Sequence, residues 1–244
     1  MPAPLTIVTG GGRGIGAAVC QRLAADGHDL VLGYLRDDQA AEETAAKVRA
    51  AGARCLPVRL DTSVEAEVDA LFEAAAGLGQ LTGLVNNAGV TGPLGPLVDQ
   101  RTEDLRRVLD VNVLGYLLCA QRAARVMAAS GGAMVNISSA AATLGSPGEY
   151  VHYAGAKAAV DAITVGLAKE LAPAGIRVNA VAPGTVWTDI HRDMGDADRP
   201  ARRAGLIPLG RAGQPAEVAD AVGWLLSPEA SYTTGTVLRV AGGL

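Results

Sequence analysis

The stretch 4-PLTIVTGGGRGIG-16 joins a short apolar run to a cluster of glycines, and an alanine-rich segment follows at once. Leu, Ile and Val with no polar alternation read as a strand buried on both faces, as strands of parallel sheets are. The glycines then mark a strand-to-helix turn, with Thr9 ending the strand and a helix beginning near Gly14. Free backbone amides at such a helix start face any anion placed there. Gly10, Gly14 and Gly16 are the positions where a tight turn or a close ligand leaves no room for a Cβ. The spacing is G-x-x-x-G-x-G, not the commoner G-x-G-x-x-G, and a glycine cluster alone is often only a turn. Its place between a strand and an amphipathic helix is the context that points to a dinucleotide, with Gly12, Arg13 and Ile15 completing the loop.

The same pattern repeats along the 244 residues. Strands are expected at 4–9, 29–34, 54–60, 83–87, 133–138, 176–182 and 236–240, and helices near 14–26, 38–51, 64–77, 103–129, 151–173 and 215–227. No linker or internal repeat divides them. The expected fold is therefore α/β, a single domain over 1–244 built on a doubly wound parallel sheet of about seven strands, with helices on both faces. The composition agrees: 49% of residues are apolar, with one Phe, two Trp and five Tyr, which suits close helix-on-sheet packing. A net charge of −4 with interspersed signs leaves no basic stripe for a nucleic acid. Cys20, Cys55 and Cys119 have neither disulfide-framework nor zinc spacing, so reduced, buried thiols are expected and no metal. The start, 1-MPAPLTIVTGGG, lacks a basic region followed by an apolar run, and no apolar stretch reaches the roughly 18 residues that span a bilayer. A soluble, cytoplasmic protein without a membrane partner is the expectation.

In this architecture ligands sit beyond the carboxyl ends of the strands. Those ends carry 10-GGGRGIG, 86-NNAG, 138-SS and 183-PG, which converge on one edge. The end of the second strand, where an acid accepts a ribose hydroxyl or a base meets a phosphate, reads 32-LGYLRDD. Tyr34 stands in the place of the acid, and Arg36 with Arg13 supplies two guanidiniums that suit a phosphate dianion. NADP(H) is favoured over NAD(H) on this reading. The other reading pairs Arg36 with Asp37 or Asp38, leaving an acid free to reach a ribose. Asp61 in 60-LDTS either accepts from an adenine amino group or belongs to a helix start capped by Thr62 or Ser63.

A second cluster is 150-YVHYAGAK-157. Residues four apart share a helix face, so Tyr153 and Lys157 are neighbours, whereas Tyr150 is about 10 Å of helix rise from the lysine. A free tyrosine, with a pKa of about 10, is a poor proton donor at neutral pH, and a nearby ammonium is expected to lower it. Such a phenol can give a proton to a carbonyl oxygen or take one from an alcohol, with Ser139 holding that oxygen. A Tyr/Lys pair at this spacing is commonly just a stem packed on a ring. The order of glycine loop, NNAG, strand-end serine, then tyrosine and lysine changes the weighing.

Together TGGGRGIG, NNAG at 86–89, Asn112 in 110-DVNVLG, Ser139, 153-YAGAK and 182-APG resemble the short-chain dehydrogenase/reductase family, over the whole chain down to 231-SYTTGTVLRVAGG. The resemblance implies a Rossmann-like domain with Tyr153 as acid/base, Lys157 as its modulator and ribose binder, and Ser139 as the oxyanion holder. It implies a water-borne proton relay maintained by Asn112, and an NNAG turn (Asn87, Ala88, Gly89) that steadies the sheet beside the cofactor. It also places Pro183, Gly184, Val186 and Thr188 over the nicotinamide. Thirteen residues separate Ser139 from Tyr153, one more than in many members, which leaves Ser138 as a possible substitute. Tyr150 and Trp187 are expected at the substrate mouth, 189-DIHRDMGDADRPARRAG in a substrate lid, and His152 in no catalytic role. The activity implied is interconversion of a ketone or aldehyde, such as a 3-oxoacyl or similar small carbonyl compound, with its alcohol, as in the 3-oxoacyl-carrier-protein reductase and glucose-dehydrogenase branches. A catalytically silent NADP-binding sensor or scaffold and an isomerase, dehydratase or epimerase of the extended fold are the rivals. A homotetramer built on the alanine-rich faces of 119-CAQRAARVMAA and 156-AKAAVDAITVGLAKEL is also implied.

Overall fold

The first strand, β1 (Leu5–Val8), is buried at every residue, and its side chains divide between two cores by the two-residue period of a strand. Leu5 and Ile7 point to one face and Val8 to the other, and in β2 (Asp29–Tyr34) Leu30 and Leu32 oppose Val31 in the same way. The computed structural model describes residues 3–244, so Met1 and Pro2 of the N-terminal stretch lie outside the described residues. The other strands are β3 (Cys55–Arg59), β4 (Leu81–Asn86), β5 (Gly132–Ile137), β6 (Ile176–Pro183) and β7 (Val237–Val240). All seven run parallel in the order β3-β2-β1-β4-β5-β6-β7. The order reverses between β1 and β4, and a crevice opens at that switch point.

On one face lie α1 (Gly14–Ala25), α2 (Asp38–Ala50) and α10 (Pro215–Leu226), with Val19, Leu23, Val48, Val222 and Leu225 fully buried. On the other lie α3 (Glu65–Ala76), α5 (Gly115–Met127) and α7 (Val151–Leu171), which bury Val68, Leu71, Cys119 and Met127. Truncating one such leucine costs about 2–5 kcal/mol through lost transfer energy and the cavity left behind. The three cysteines are free and buried in these layers, and burial pushes Cys55 up to about 11 and Cys119 up to about 12. No helix among the described residues is long and apolar enough to cross a membrane.

Two features depart from the expected elements. The helix expected over 103–129 is broken into α4 (Thr102–Leu109), a π-helical turn (Asp110–Leu114) and α5. Asn112 is the cause: its Nδ2 donates to the Val108 carbonyl four residues back, at 2.9 Å, and to Val90 O at 2.7 Å. A side chain that takes the i−4 carbonyl displaces the backbone from it, which widens the turn. The expected lid region folds into two very short helices, α8 (Ile190–Asp193) and α9 (Arg199–Arg203). Between β5 and α7 lies one more short helix, α6 (Ala141–Leu144).

Candidate active site

The glycine loop and the NNAG turn are stitched together at the switch point. Asn87 N and Ala88 N donate to Thr9 Oγ1 at 3.0 and 3.1 Å, and Asn87 Nδ2 donates to Thr9 O and Gly10 O, both at 2.9 Å. Gly10 and Gly14 have φ of 65° and 55°, and a Cβ on Gly16 would overlap the Gly10 carbonyl. No side chain caps α1, so its first amides remain available to an anion. Around this loop opens a cleft of about 1540 Å³. Each residue expected to bind a cofactor lines it, from Gly10 to Gly16 of the loop through Asn87–Gly89 to Pro183, Gly184, Val186 and Thr188.

At the end of β2 the rival pairing of Arg36 does not form. Asp37 caps α2 by accepting from Ala40 N at 2.9 Å, and the Asp38 side chain bonds the Tyr34 phenol. Arg36 is exposed and makes no ion pair among the described residues, while Arg13 pairs with Asp193 of α8. Asp61 is neither free nor flanked by a capping side chain. Its Oδ1 accepts from Ser63 N and Oγ at 3.0 and 2.7 Å, its Oδ2 pairs with Arg107 at 2.8 Å, and the N-cap of α3 is Val64, which makes no side-chain cap. Thr62 and Ser63 therefore do not cap this helix. Burial pushes the Asp61 carboxyl up, but Ser63 and Arg107 together hold it below its ordinary value.

Tyr153 and Ser139 both line the cleft, and Ser139 Oγ accepts from Ala141 N at 3.1 Å. Ser138 instead turns away, donating to Lys157 O at 3.3 Å. Burial raises the Tyr153 phenol well above its ordinary value, the Ser139 hydroxyl pulls it back in part, and Tyr150 adds to the rise. The expectation of a lowered phenol is thus reversed in this structure. Lys157 Nζ lies 5.8 Å from the Tyr153 ring centroid but donates elsewhere, to Tyr116 Oη at 3.0 Å and Ile137 O at 2.7 Å. Burial lowers this lysine to about 7, against a smaller pull upward from Asp161 one turn along.

Tyr116 is the group that the sequence reading missed. It is buried, donates to Ile137 O at 3.0 Å and accepts from the lysine, so it sets where the ammonium points. Its signal was present: Asn112 and Tyr116 stand four apart, on one helix face. Asn112 itself does not line the cleft, and both amide hydrogens and the carbonyl oxygen of its side chain are taken by Val108 O, Val90 O and Val90 N.

At the outer end, Tyr150 lines the cleft as expected, its ring edge-on to Tyr153 at 5.3 Å and 89°. Trp187 does not line it and is 44% exposed. The reason is local: Trp187 N is held by Gly213 O at 3.0 Å, and Val186 bridges Gly213, leaving Val186 and Thr188 as the residues that face the cleft. His152 bonds Thr91 O at 3.0 Å, a structural contact.

Residues 10–244 match the family model described as enoyl-(acyl carrier protein) reductase. An uncharacterized oxidoreductase of Escherichia coli is 43% identical, over 98% of this chain and 99% of that protein. A 3-oxoacyl-[acyl-carrier-protein] reductase of Synechocystis is 37% identical over 100% and 98%. The crystal structure of a short-chain type dehydrogenase/reductase from Mycobacterium marinum superposes with a TM-score of 0.93 at 33% identity, covering 98% of this chain and 94% of that one. Fold, site geometry and these similarities agree, and the chain belongs to the short-chain dehydrogenase/reductase family of oxidoreductases.

Proposed function

We propose that this chain reduces a small ketone or aldehyde to the corresponding alcohol and prefers NADP(H) to NAD(H). One observation carries the reading: a half-buried phenol, Tyr153, lines with Ser139 the cleft that the uncapped glycine loop also lines. The loop fits a dinucleotide because Gly10 and Gly14 take left-handed backbone and the first amides of α1 have no side-chain acceptor. Bound there, NADPH supplies a hydride to the carbonyl carbon. Ser139 and Tyr153 converge on the carbonyl oxygen, and Tyr153 gives it a proton. A phenol held protonated by burial suits the reducing direction, since it is loaded with the proton to be delivered. Lys157 is oriented by Tyr116 and Ile137, with its Nζ 5.8 Å from the Tyr153 ring centroid. Asn112 maintains the loop beside the lysine instead of titrating.

Arg36, which lines the cleft without an ion pair among the described residues, supports the NADP preference, and Arg13, which pairs with Asp193, lines the same cleft. The Synechocystis relative is named as a 3-oxoacyl reductase, and a 3-oxoacyl or similar β-dicarbonyl compound is the first substrate class to try. The silent sensor is disfavoured, because binding alone needs neither Ser139 nor Tyr153. The test is fluorescence titration with NADPH and NADH, then consumption assays over β-ketoesters, diketones, quinones, sugars and aldehydes. Tighter NADPH binding with turnover is expected. Binding without turnover across the panel would favour the sensor, and equal affinities would overturn the cofactor preference.

A further inference from the structure

The segment between β6 and α10 carries a buried charge that the reaction does not use. Arg199, the first residue of α9, has a side chain only 3% exposed. Its guanidinium is bidentate on Glu149, with Nη1 to Oε1 at 3.1 Å and Nη2 to Oε2 at 2.5 Å. Nη2 also donates to Tyr150 Oη at 3.1 Å. Arg203 reaches the same carboxylate at 3.1 Å, and Asp196 approaches Arg199 at 3.6 Å. The backbone carbonyl of Glu149 accepts from Gly95 N at 2.7 Å. Three separate loops therefore meet at one ion pair: 92–96, 145–150 and 189–203. The Tyr150 ring at this junction is the one that stands edge-on to Tyr153.

A planar guanidinium that makes two parallel bonds to a carboxylate fixes orientation as well as charge, which a point-charge lysine cannot. Arg199 is buried while Glu149 is half-buried and also held by Arg203, so losing the carboxylate would leave a buried charge short of its main partner, and the junction is held in one arrangement. The hydroxyl of Tyr150, bonded to the arginine, inherits that arrangement.

We infer that Arg199 is a positioning residue for the carbonyl substrate: by clasping Glu149 and Tyr150 it fixes the outer wall of the cleft and holds the Tyr150 ring against Tyr153. The inference rests on the reductase reading for its catalytic consequence, but not for the clasp itself.

The experiment compares Arg199→Met, Arg199→Lys, Glu149→Gln and Tyr150→Phe by steady-state kinetics with the best carbonyl compound of the panel, by NADPH titration and by amide hydrogen exchange. Arg199→Met should raise KM for the carbonyl compound about tenfold to a hundredfold, the range expected from losing hydrogen bonds between charged groups. NADPH affinity should stay within about twofold, because the glycine loop is untouched. Exchange should quicken in 189–206 and 146–150 while the β1, β4 and β5 amides keep their protection. Glu149→Gln should behave alike, Arg199→Lys should recover part of the loss, and Tyr150→Phe should raise KM with exchange of 189–206 unchanged. An unchanged KM in Arg199→Met, or a general loss of sheet protection together with NADPH binding, would overturn the inference. If the native chain turns over no carbonyl compound, the reductase reading fails instead. The exchange arm then still judges the clasp, which falls if 189–206 exchanges at the native rate in Arg199→Met.

Discussion

Loss of hydration is the main influence raising the half-buried Tyr153 phenol, while the Lys157 ammonium donates to Tyr116 and Ile137 and not to that phenol's oxygen. Tyr153→Phe removes the phenol proton and keeps the ring, so carbonyl reduction should fall about 10²- to 10⁴-fold, the usual worth of a positioned acid. NADPH affinity should move by less than about twofold, as checked by fluorescence titration, and retained turnover would remove Tyr153 from the chemistry. Lys157 makes a different prediction. Its proton leaves near 7 in the folded chain, against an ordinary value of 10.5, so above 7 the unfolded chain binds more protons than the folded one. Stability should therefore rise with pH from about 7 to 9, by up to about 1.4 kcal/mol per pH unit from this group. Above 9 the raised thiols of Cys20, Cys55 and Cys119 act in the opposite sense, because there the folded chain is the one that keeps protons. Thermal melts of the native chain and of Lys157→Met at pH 6, 7.5 and 9 should give a rising and a flatter line, and parallel lines would place the lysine's titration elsewhere.

The elements that the sequence announced are those whose signal is continuous. Apolar runs without alternation such as 83-GLVNN and 133-AMVNIS placed the strands, and the spacing of four placed Tyr153 beside Lys157. What stayed hidden depends on partners distant in the chain. The lysine's direction is set by Tyr116 and Ile137, 41 and 20 positions away, and α8 and α9 are too short to show a period. The π-helical turn is the clearest instance, since an asparagine in a helical run looks ordinary until Val90, 22 positions earlier, arrives to bond it. Asn112→Ala should leave Val90 O, Val90 N and Val108 O without that partner. Buried groups so orphaned cost about 1–3 kcal/mol each, offset where the turn relaxes to an α-helix. A fall of several degrees in Tm is expected, together with a loss of turnover larger than the loss of NADPH affinity. A native Tm would show that the backbone, and not the amide, makes the turn.

The seven-stranded sheet is covered on both faces, yet the layer formed by α5 and α7 leaves apolar side chains on its outer side. Leu117 and Val126 of α5 are 40% and 53% exposed, and Val151 and Val165 of α7 are 41% and 37% exposed. Gly155 and Gly166 on α7 have open space where a Cβ would stand, so another helix can approach this surface closely. Val151, Gly155, Val165 and Gly166 fall on one side of α7 by the 100° step of a helix, and water against such an apolar strip is costly. Two copies meeting face to face across a two-fold axis would cover each other's leucines and valines, as closed symmetric assemblies do. Light scattering should thus give an even multiple of the chain mass for the native protein. Leu117→Asp combined with Val165→Asp should halve it at least, since four carboxylates would be brought together at each paired face. Far-ultraviolet circular dichroism should stay native in that variant, because neither side chain belongs to the buried cores. A native chain that scatters as a single copy would mean that the α5–α7 face is an ordinary solvated surface.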